Sequence, residues 1–414
     1  MKLATRLTIG VALAIGVTGV AFVAPVSAAK KEKAAAGPQA QLSKEFRAAV
    51  GPIEADIKAG KLDGMIARLD AASAQFKMPD EQFYLGAKRY DVAKTGTNAV
   101  EQRKAVVQMI DSKSSLITNL AQLNGAAGQY AFNAKDYPDA LTRLNEAVRL
   151  GSNDADTFII MAEAAFQSGK VNEGLAFADR AVNAKKTLGQ KAPEDWYRRP
   201  LSVAYKAKLQ PQIAAWSRAQ AGAYPTPENW RTALFIYKDS AKLDGQSSLD
   251  IMRLMRANKA LTGERDYFEY AALASERGLP GEAKSVIDQG LASGTISKSS
   301  RPLTELLGIA NAKVPGDLAS LAAAEKRANG EATGKLAAGT ADAYLGYGQD
   351  AKAVPLYRLA LQKGSIDVDA VNTRLGIALA RQGQKAEART AFAAVTGPRV
   401  EIAKFWLMWL DQTV

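Results

Sequence analysis

A glycine-containing run at residues 330–335 is a superficial match to a phosphate-binding loop. It reads Gly-Glu-Ala-Thr-Gly-Lys, one residue short of the spacing G-x-x-x-x-G-K. Leu336 follows where a phosphate loop needs a Ser or Thr hydroxyl for magnesium, and no strand pattern precedes the run. We therefore predict a break before a helix at this segment and no nucleotide site.

Oxygen-bearing side chains cluster at Asn153, Asp154 and Asp156, as they do in calcium-binding loops. The glycine, the alternating ligands and the distal Glu of such loops are missing. A carboxylate just before a helix can instead accept hydrogen bonds from the free N–H groups of the first turn. We expect Asp154 or Asp156 to cap a helix that begins near Thr157.

Three carboxylates occur close together at Glu264, Asp266 and Glu269. Acid–base catalysis would need two carboxyl groups in a cleft with pKa values displaced in opposite directions, which spacing does not indicate. Acidic residues in a first helical turn interact favourably with the helix dipole. We interpret the cluster as the start of a helix, and we predict no catalytic residue.

The composition limits the chemistry further, because the 414 residues include no cysteine and no histidine. Disulfides, thiolate nucleophiles, zinc–thiolate sites and lipid-carrying cysteines are thereby excluded. Histidine-based nucleophilic triads and imidazole-ligated metals are excluded as well. We expect no metal, no cofactor and no enzyme.

Basic residues outnumber acidic residues by 54 to 42, for a net charge of +12. The two signs are interleaved, which argues against nucleic acid as a partner. Arg199 and Lys206 are seven residues apart, as are Arg231 and Lys238. Aligned on an offset of 32 residues, the four cations occupy equivalent positions on one face of two helices. They form either a solvated surface or a site that attracts an anionic ligand.

Residues 1–28 have the layout of a bacterial secretory signal peptide. Lys2 and Arg6 precede an apolar run over residues 7–24, and residues 26–28 (Val-Ser-Ala) supply small side chains for a cleavage site. An uncleaved membrane anchor is the competing interpretation, because the apolar run can nearly span a bilayer. Cleavage predicts a protein exported to the periplasm or to the extracellular space.

Cleavage is expected after Ala28, with Ala29 as the alternative. Removal of Lys2 and Arg6 leaves 52 basic and 42 acidic residues, so the mature chain carries +10. Residues 29–41 are polar and Ala-rich and predict a disordered lead-in. No stable membrane span is expected after cleavage.

From residue 42 onward, helical apolar spacing alternates with short breaks that contain Gly, Pro, Asp or Asn. Small or apolar residues recur early in every second helix at intervals of 34 to 40 residues, most of them 34 or 35. They are Ala140, Gly174, Ala214, Leu249, Ala283, Ala319, Ala353 and Ala388. This period predicts a solenoid in which each helix pair buries its apolar face against the next pair.

The residues within these pairs resemble the tetratricopeptide repeat (TPR) family. The matching packing residues are Gly128, Tyr137, Ala140, Ala147, Trp230, Tyr237, Ala283, Tyr344, Ala353, Leu375, Gly376, Ala388 and Phe392. The resemblance implies an all-α, right-handed superhelix of about ten helix pairs. Residues 299–330 fit by spacing alone, and an irregular helical bundle is the alternative fold.

The repeat divides the chain into segments. Residues 42–115 hold degenerate helix pairs, residues 116–397 hold the TPR-like repeats, and residues 398–414 form a C-terminal capping helix. The last helix is predicted over residues 400–410 and is too short to span a bilayer.

The last helix is apolar on most sides because of Phe405, Trp406 and Trp409. These aromatic residues predict a cap that folds back on the tenth pair. Alternatively, they form an exposed surface for self-association, since large apolar patches mark contact sites.

In TPR proteins the first helices of the pairs line the concave surface. The resemblance therefore places the four cations in a groove, where they would attract an acidic protein or peptide. The predicted function is that of a non-catalytic interaction scaffold in the bacterial envelope. Two alternatives are a self-associating structural component of the envelope and a binder of an anionic envelope polymer.

Overall fold

A computed structural model describes residues 39–412 of the chain. The predicted signal peptide and nearly all of the lead-in lie outside the described residues. The described part contains 20 α-helices, one 3₁₀ helix and no strand, which confirms the all-α class. It divides into two compact units between Ala192 and Pro193. Among the described residues, none of the helices combines the length and apolar composition needed to cross a bilayer.

Helices α1–α8 form the first unit, and α9–α20 form the second. The first unit contains α1 (Lys44–Lys58), α2 (Met65–Gln75), α3 (Pro79–Thr95), α4 (Ala99–Asp111), α5 (Leu120–Asn133), α6 (Tyr137–Arg149), α7 (Ala155–Gln167) and α8 (Val171–Thr187). The second contains α9 (Asp195–Lys206), α10 (Gln210–Ala223), α11 (Pro227–Ala241), α12 (Gly245–Ala257), α13 (Glu264–Glu276), α14 (Pro280–Ala292), α15 (Arg301–Gly330), α16 (Lys335–Gly346), α17 (Asp350–Lys363), α18 (Val368–Arg381), α19 (Lys385–Ala393), a 3₁₀ helix (Gly397–Arg399) and α20 (Val400–Gln412).

Polar side chains define where many of these helices begin. Seven residues that precede a helix accept a hydrogen bond from a backbone N–H of its first turn. They are Ser43, Asn98, Asp136, Asp154, Thr226, Asp244 and Asp367. Asp154 accepts from the Thr157 N–H at 3.0 Å, which confirms its predicted role as a cap.

The glycine-containing run at 330–335 lies where α15 ends and α16 begins, so the predicted break is confirmed. The Gly334 N–H donates to the Gly364 carbonyl oxygen at 2.9 Å. In a nucleotide site this backbone amide would face phosphate. Here it forms a hydrogen bond that connects two helix ends instead.

Small residues let the two helices of a pair approach each other closely. A Cβ atom on Gly128 of α5 would lie 2.5 Å from Leu144 Cγ on α6 and 3.2 Å from the Ala140 carbonyl oxygen. A Cβ atom on Gly376 of α18 would lie 2.5 Å from the ring of Phe392 on α19. Both positions exclude any side chain without movement of a packed neighbour. These contacts confirm helix pairs of the TPR type.

The remaining residues assigned to repeat packing are buried, with one exception. The buried residues are Ala140, Ala147, Trp230, Tyr237, Ala283, Tyr344, Ala353, Leu375, Ala388 and Phe392. Tyr137 is half-buried at the start of α6, where its ring centroid lies 5.8 Å from that of Phe132.

One expected helix pair is a single helix. The spacing predicts a second helix that begins near Ala319, but residues 301–330 form the continuous helix α15. Pro315 lies on an exposed side, where water can replace the backbone hydrogen bond that proline removes. The Tyr344 hydroxyl on α16 donates to Glu325 at 2.9 Å and ties the second half of α15 to its neighbour. Residues 39–412 thus contain nine helix pairs, together with α15 and α20, which agrees with the predicted number of about ten pairs and a cap.

The C-terminal helix α20 closes the second unit on itself. The Trp406 ring stacks on Phe392 of α19 with centroids 5.8 Å apart, so the predicted packing on the last pair is confirmed. The Phe405 ring lies 5.4 Å from Tyr237 on α11, a helix from much earlier in the chain. The last helix therefore joins the late helices of the second unit to helices α10–α12.

This closure overturns the expectation of an exposed aromatic surface on the last helix. Phe405 and Trp406 are buried, because α11 and α19 enclose their side chains. Trp409 is half-buried and contacts the Trp406 ring edge-to-face at 5.4 Å. A self-association surface built on these three residues is not available.

Two glycines of α5 provide a matched test of pair packing. Gly128→Ala should lower the free energy of unfolding of the first unit by about 1–3 kcal/mol, because the new methyl group overlaps Leu144. Gly125→Ala should raise it by up to about 1 kcal/mol, since nothing lies within 4 Å of that Cβ position and alanine favours the helix. Urea unfolding followed by far-UV circular dichroism measures both. Equal effects at the two positions would contradict the packing.

Candidate functional site

The four predicted cations do not form one unpaired patch. On α11, the Arg231 guanidinium donates to Asp266 of α13 from Nε at 3.0 Å and from Nη2 at 2.9 Å. Lys238 forms an ion pair with Glu269, also on α13. The two positive charges of α11 are therefore neutralised by the next first helix, which corrects the expectation of four available cations.

The carboxylates at the start of α13 connect helix pairs. Burial alone would raise the pKa of Asp266, but hydrogen bonds from Arg231 and from the Thr262 N–H outweigh it and lower the pKa overall. Glu264 accepts a hydrogen bond from the Ser300 hydroxyl at 2.6 Å. The predicted helix start is confirmed, since α13 begins at Glu264.

The burial pattern also corrects the alignment of α9 with α11. The inward residues of α9 include Tyr197, Pro200, Leu201 and Ala204, and those of α11 are Trp230, Ala233, Leu234 and Tyr237. These sets match at an offset of 33 residues and not 32. Arg198 is therefore the counterpart of Arg231, while Arg199 and Lys206 lie on the exposed side of α9, one position out of register.

Three exposed aromatic side chains lie on consecutive first helices of the second unit, and we call them the aromatic row. Tyr205 on α9, Phe235 on α11 and Phe268 on α13 are 42 %, 38 % and 40 % exposed. No other aromatic side chain of residues 39–412 is as exposed. The buried residues of α11 and α13 match at an offset of 37 residues, so Phe268 lies one turn before Ala272, the counterpart of Phe235, and Tyr205 lies one turn beyond the counterpart Ser202.

Charged neighbours contact two rings of the aromatic row, Phe235 and Tyr205. The Arg231 Cζ and Lys238 Nζ atoms each lie 5.8 Å from the Phe235 ring centroid, one turn to either side. Cations at this distance are attracted to the ring face. The Tyr205 hydroxyl donates to Asp239 on α11 at 2.9 Å, and this hydrogen bond raises the pKa of Tyr205.

An open recess of about 330 Å³ lies beside Phe268 on the outer face of α13. Arg265 lines one end and Glu276 the other, with Ala272 and Leu273 between them. Because the recess is shallow and mixed in polarity, it suits a side chain of a docked segment better than an enclosed small molecule.

The aromatic row was missed by sequence reasoning, although part of its signal is visible there. Phe235 lies between Arg231 and Lys238 on one helical face, and another phenylalanine follows after 33 residues. The spacing alone does not say whether these rings point inward or outward, because both faces of α11 carry aromatic residues.

A buried charge network lies elsewhere in the second unit. Asp250 of α12 is 0 % exposed and accepts from Arg253 Nη1 at 2.7 Å, from Arg399 Nη1 at 2.7 Å and from Arg374 Nε at 3.4 Å. Arg253 donates in turn to Glu282 from Nε at 2.8 Å and from Nη2 at 2.6 Å. The network links α12, α14, α18 and the 3₁₀ helix, and each of these five side chains has a partner of opposite charge.

Glu282 and the neighbouring Tyr270 do not exchange protons near neutral pH. Burial would raise the pKa of Glu282, but the charge and hydrogen bonds of Arg253 lower it to about 2. Burial, together with the nearby charge of Glu282, raises the pKa of Tyr270, whose hydroxyl donates to Glu282 at 2.8 Å. Neither group is therefore poised for acid–base catalysis. In residues 39–412, no three acidic side chains are grouped in a way that could hold a metal ion.

Solved structures similar to this chain include several TPR proteins at low identity. No protein-family model and no curated protein matches the chain. A tetratricopeptide repeat protein from Parabacteroides merdae is 11 % identical, with 80 % of this chain and 99 % of that chain covered and a TM-score of 0.28. The C-terminal part of a TPR repeat-containing protein from Cytophaga hutchinsonii is 12 % identical, with 69 % and 97 % covered and a TM-score of 0.29.

The TPR2AB-domain–pHSP90 complex of yeast Sti1 is 14 % identical, with 70 % of this chain and 96 % of that chain covered and a TM-score of 0.23. The assignment of this chain to the TPR type of fold rests on its own helix pairs and on the glycine contacts within them.

Glu282 provides a test of the buried charge network. Glu282→Gln should lower the free energy of unfolding of the second unit by about 3–5 kcal/mol at neutral pH, because the buried Arg253 loses one of its two charged partners. Because the folded pKa lies below the ordinary 4.5, the wild type should lose this stability as pH falls from 4.5 towards about 2. The variant should lack that part of the pH dependence.

All five tryptophans lie in the second unit, so their fluorescence during urea unfolding reports on that unit alone. Glu276→Gln, at an exposed position of α13, is the matched control and should change stability by less than about 0.5 kcal/mol. Equal destabilisation by the two variants would show that the network contributes nothing specific.

Proposed function

We propose that this protein is an exported, non-catalytic TPR-type scaffold that binds a protein or peptide partner through the aromatic row. The observation that carries the proposal is the exposure of Tyr205, Phe235 and Phe268 on three consecutive first helices. Aromatic side chains and arginines contribute most of the binding energy at protein interfaces, and both types occur together here.

The position of the aromatic row on helices supports a binding role. The opposite face of α11 already packs into the core through Trp230 and Tyr237, so Phe235 is not needed there. Leaving a ring exposed forgoes the free energy of burying its apolar surface. A partner that covers the row recovers this free energy, and the helices beneath it need little ordering on binding.

Partner binding should depend on the rings themselves. The double variant Phe235→Ala/Phe268→Ala should bind a captured partner about 100-fold more weakly, since truncating a central aromatic residue costs about 2 kcal/mol or more. Affinity is measured by surface plasmon resonance with a partner isolated from the native envelope fraction.

The matched control is Ile309→Ala/Leu318→Ala on α15, which removes two side chains of similar exposure. This control should leave the affinity unchanged, and both double variants should keep the wild-type tryptophan fluorescence and unfolding midpoint. Full binding by the phenylalanine variant would disprove a role for the aromatic row.

Export is the second part of the proposal and is supported by the charge, apolar run and small residues of positions 1–28. The protein isolated from its host should begin at Ala29, or at Lys30 if cleavage follows Ala29. Ala28→Trp should leave the precursor uncleaved or move the cut, because the cleavage site requires small residues. N-terminal sequencing and intact mass distinguish these products, and a mature chain that retains residue 1 would refute cleavage.

A further inference from the structure

We infer that the segment bound by the aromatic row is apolar in its centre and acidic at both ends. This inference rests on the proposed function and specifies the chemistry of the partner. It follows from the charges of α9, α11 and α13. Arg231 and Lys238 of α11 are paired with carboxylates of α13, whereas Arg198 of α9 and Arg265 of α13 make no ion pair within residues 39–412.

The centre of the aromatic row disfavours both kinds of charge. Arg231 and Lys238 lie on either side of the Phe235 ring and repel a cation that approaches its face. A carboxylate gains little there, because Asp266 and Glu269 already pair with these two cations. An apolar side chain is not repelled by these cations and needs no ionic partner, and it buries the exposed edge of Phe235.

The two outer helices of the aromatic row, α9 and α13, each carry an exposed cation that attracts acidic groups. Arg198 on α9 and Arg265 on α13 are exposed, and neither makes an ion pair within residues 39–412. Arg198 shares a helical face with Tyr205, two turns away, and Arg265 lies one turn before Phe268. Cations that lack a partner in the protein can form charge-assisted hydrogen bonds to carboxylates of a ligand.

The recess beside Phe268 sets the direction of the docked segment. Glu276 lines the end away from Arg265 and repels a carboxylate there, so the acidic group is directed to the Arg265 end. The apolar surface of Ala272 and Leu273 then lies under the adjoining apolar side chain. Charge complementarity thus selects an acidic–apolar–acidic pattern over a basic one.

Three synthetic peptides test this pattern by fluorescence anisotropy with the full mature chain. The first has Asp and Glu at both ends and Leu and Phe in the centre. The second replaces the acidic ends with Lys, and the third replaces the apolar centre with Ser. The first should bind about tenfold or more tightly than either of the others, and its affinity should fall as salt screens the end charges.

The double variant Arg198→Glu/Arg265→Glu should lose affinity for the acidic peptide by about tenfold or more and gain affinity for the Lys peptide. Both positions lie in the N-terminal half of a helix, where Glu is compatible with the helix dipole, so folding is preserved. Lys313→Glu, on an exposed site of α15, is the matched control and should change neither affinity.

Equal binding of the acidic and Lys peptides, or an unchanged preference in the double variant, would overturn the inference. Absence of binding by all three peptides would overturn it as well. If the phenylalanine variant loses its captured partner while the peptides show no charge preference, the proposed function stands and the inference alone fails. If the phenylalanine variant retains its partner, both fail.

Discussion

The second unit depends on one buried carboxylate, that of Asp250, which three arginines share. Taking several charges out of water costs several kcal/mol per ion unless each is paired and hydrogen-bonded. Here Arg253, Arg374 and Arg399 come from α12, α18 and the 3₁₀ helix, so the pairing forces these elements together. Removing Asp250 would take this shared partner from all three arginines. Because Arg399 directly precedes α20, the pairing also fixes the position of that helix.

The closure also determines which surfaces of the first helices remain available. With α20 in place, Phe405 lies against Trp230 and Tyr237, so that side of α11 belongs to the core. The other side carries Phe235, and the ion pairs to Asp266 and Glu269 hold α13 in register beside it. The aromatic row thus lies on the side of the first helices that faces away from this core. Long-range contacts from α20 complete the core itself.

The sequence predicts local features of this molecule better than distant ones. Helix pairs are visible because Gly128 and Gly376 meet partners only about 16 residues away in the next helix. The extra length of α15 is not visible, since the adjacent Pro315 and Gly316 resemble a break and only solvent exposure makes them tolerable. The pairing of Asp250 with Arg399 spans 149 residues, a separation at which no periodic pattern connects two positions. The exposure of Phe235 depends on which face α20 covers.

The long span of the closing contacts has a consequence for biosynthesis. Helices of the first unit contact their near neighbours, and such local contacts can form while the chain is still being made. Arg399 reaches back 149 residues to Asp250, and Gln412 accepts from the Trp230 indole N–H across 182 residues. The second unit therefore stays open on the ribosome until those last residues emerge. The proposed export would require an unfolded chain in the secretion channel, and the contacts that stabilise the folded second unit would also delay its folding until export is complete.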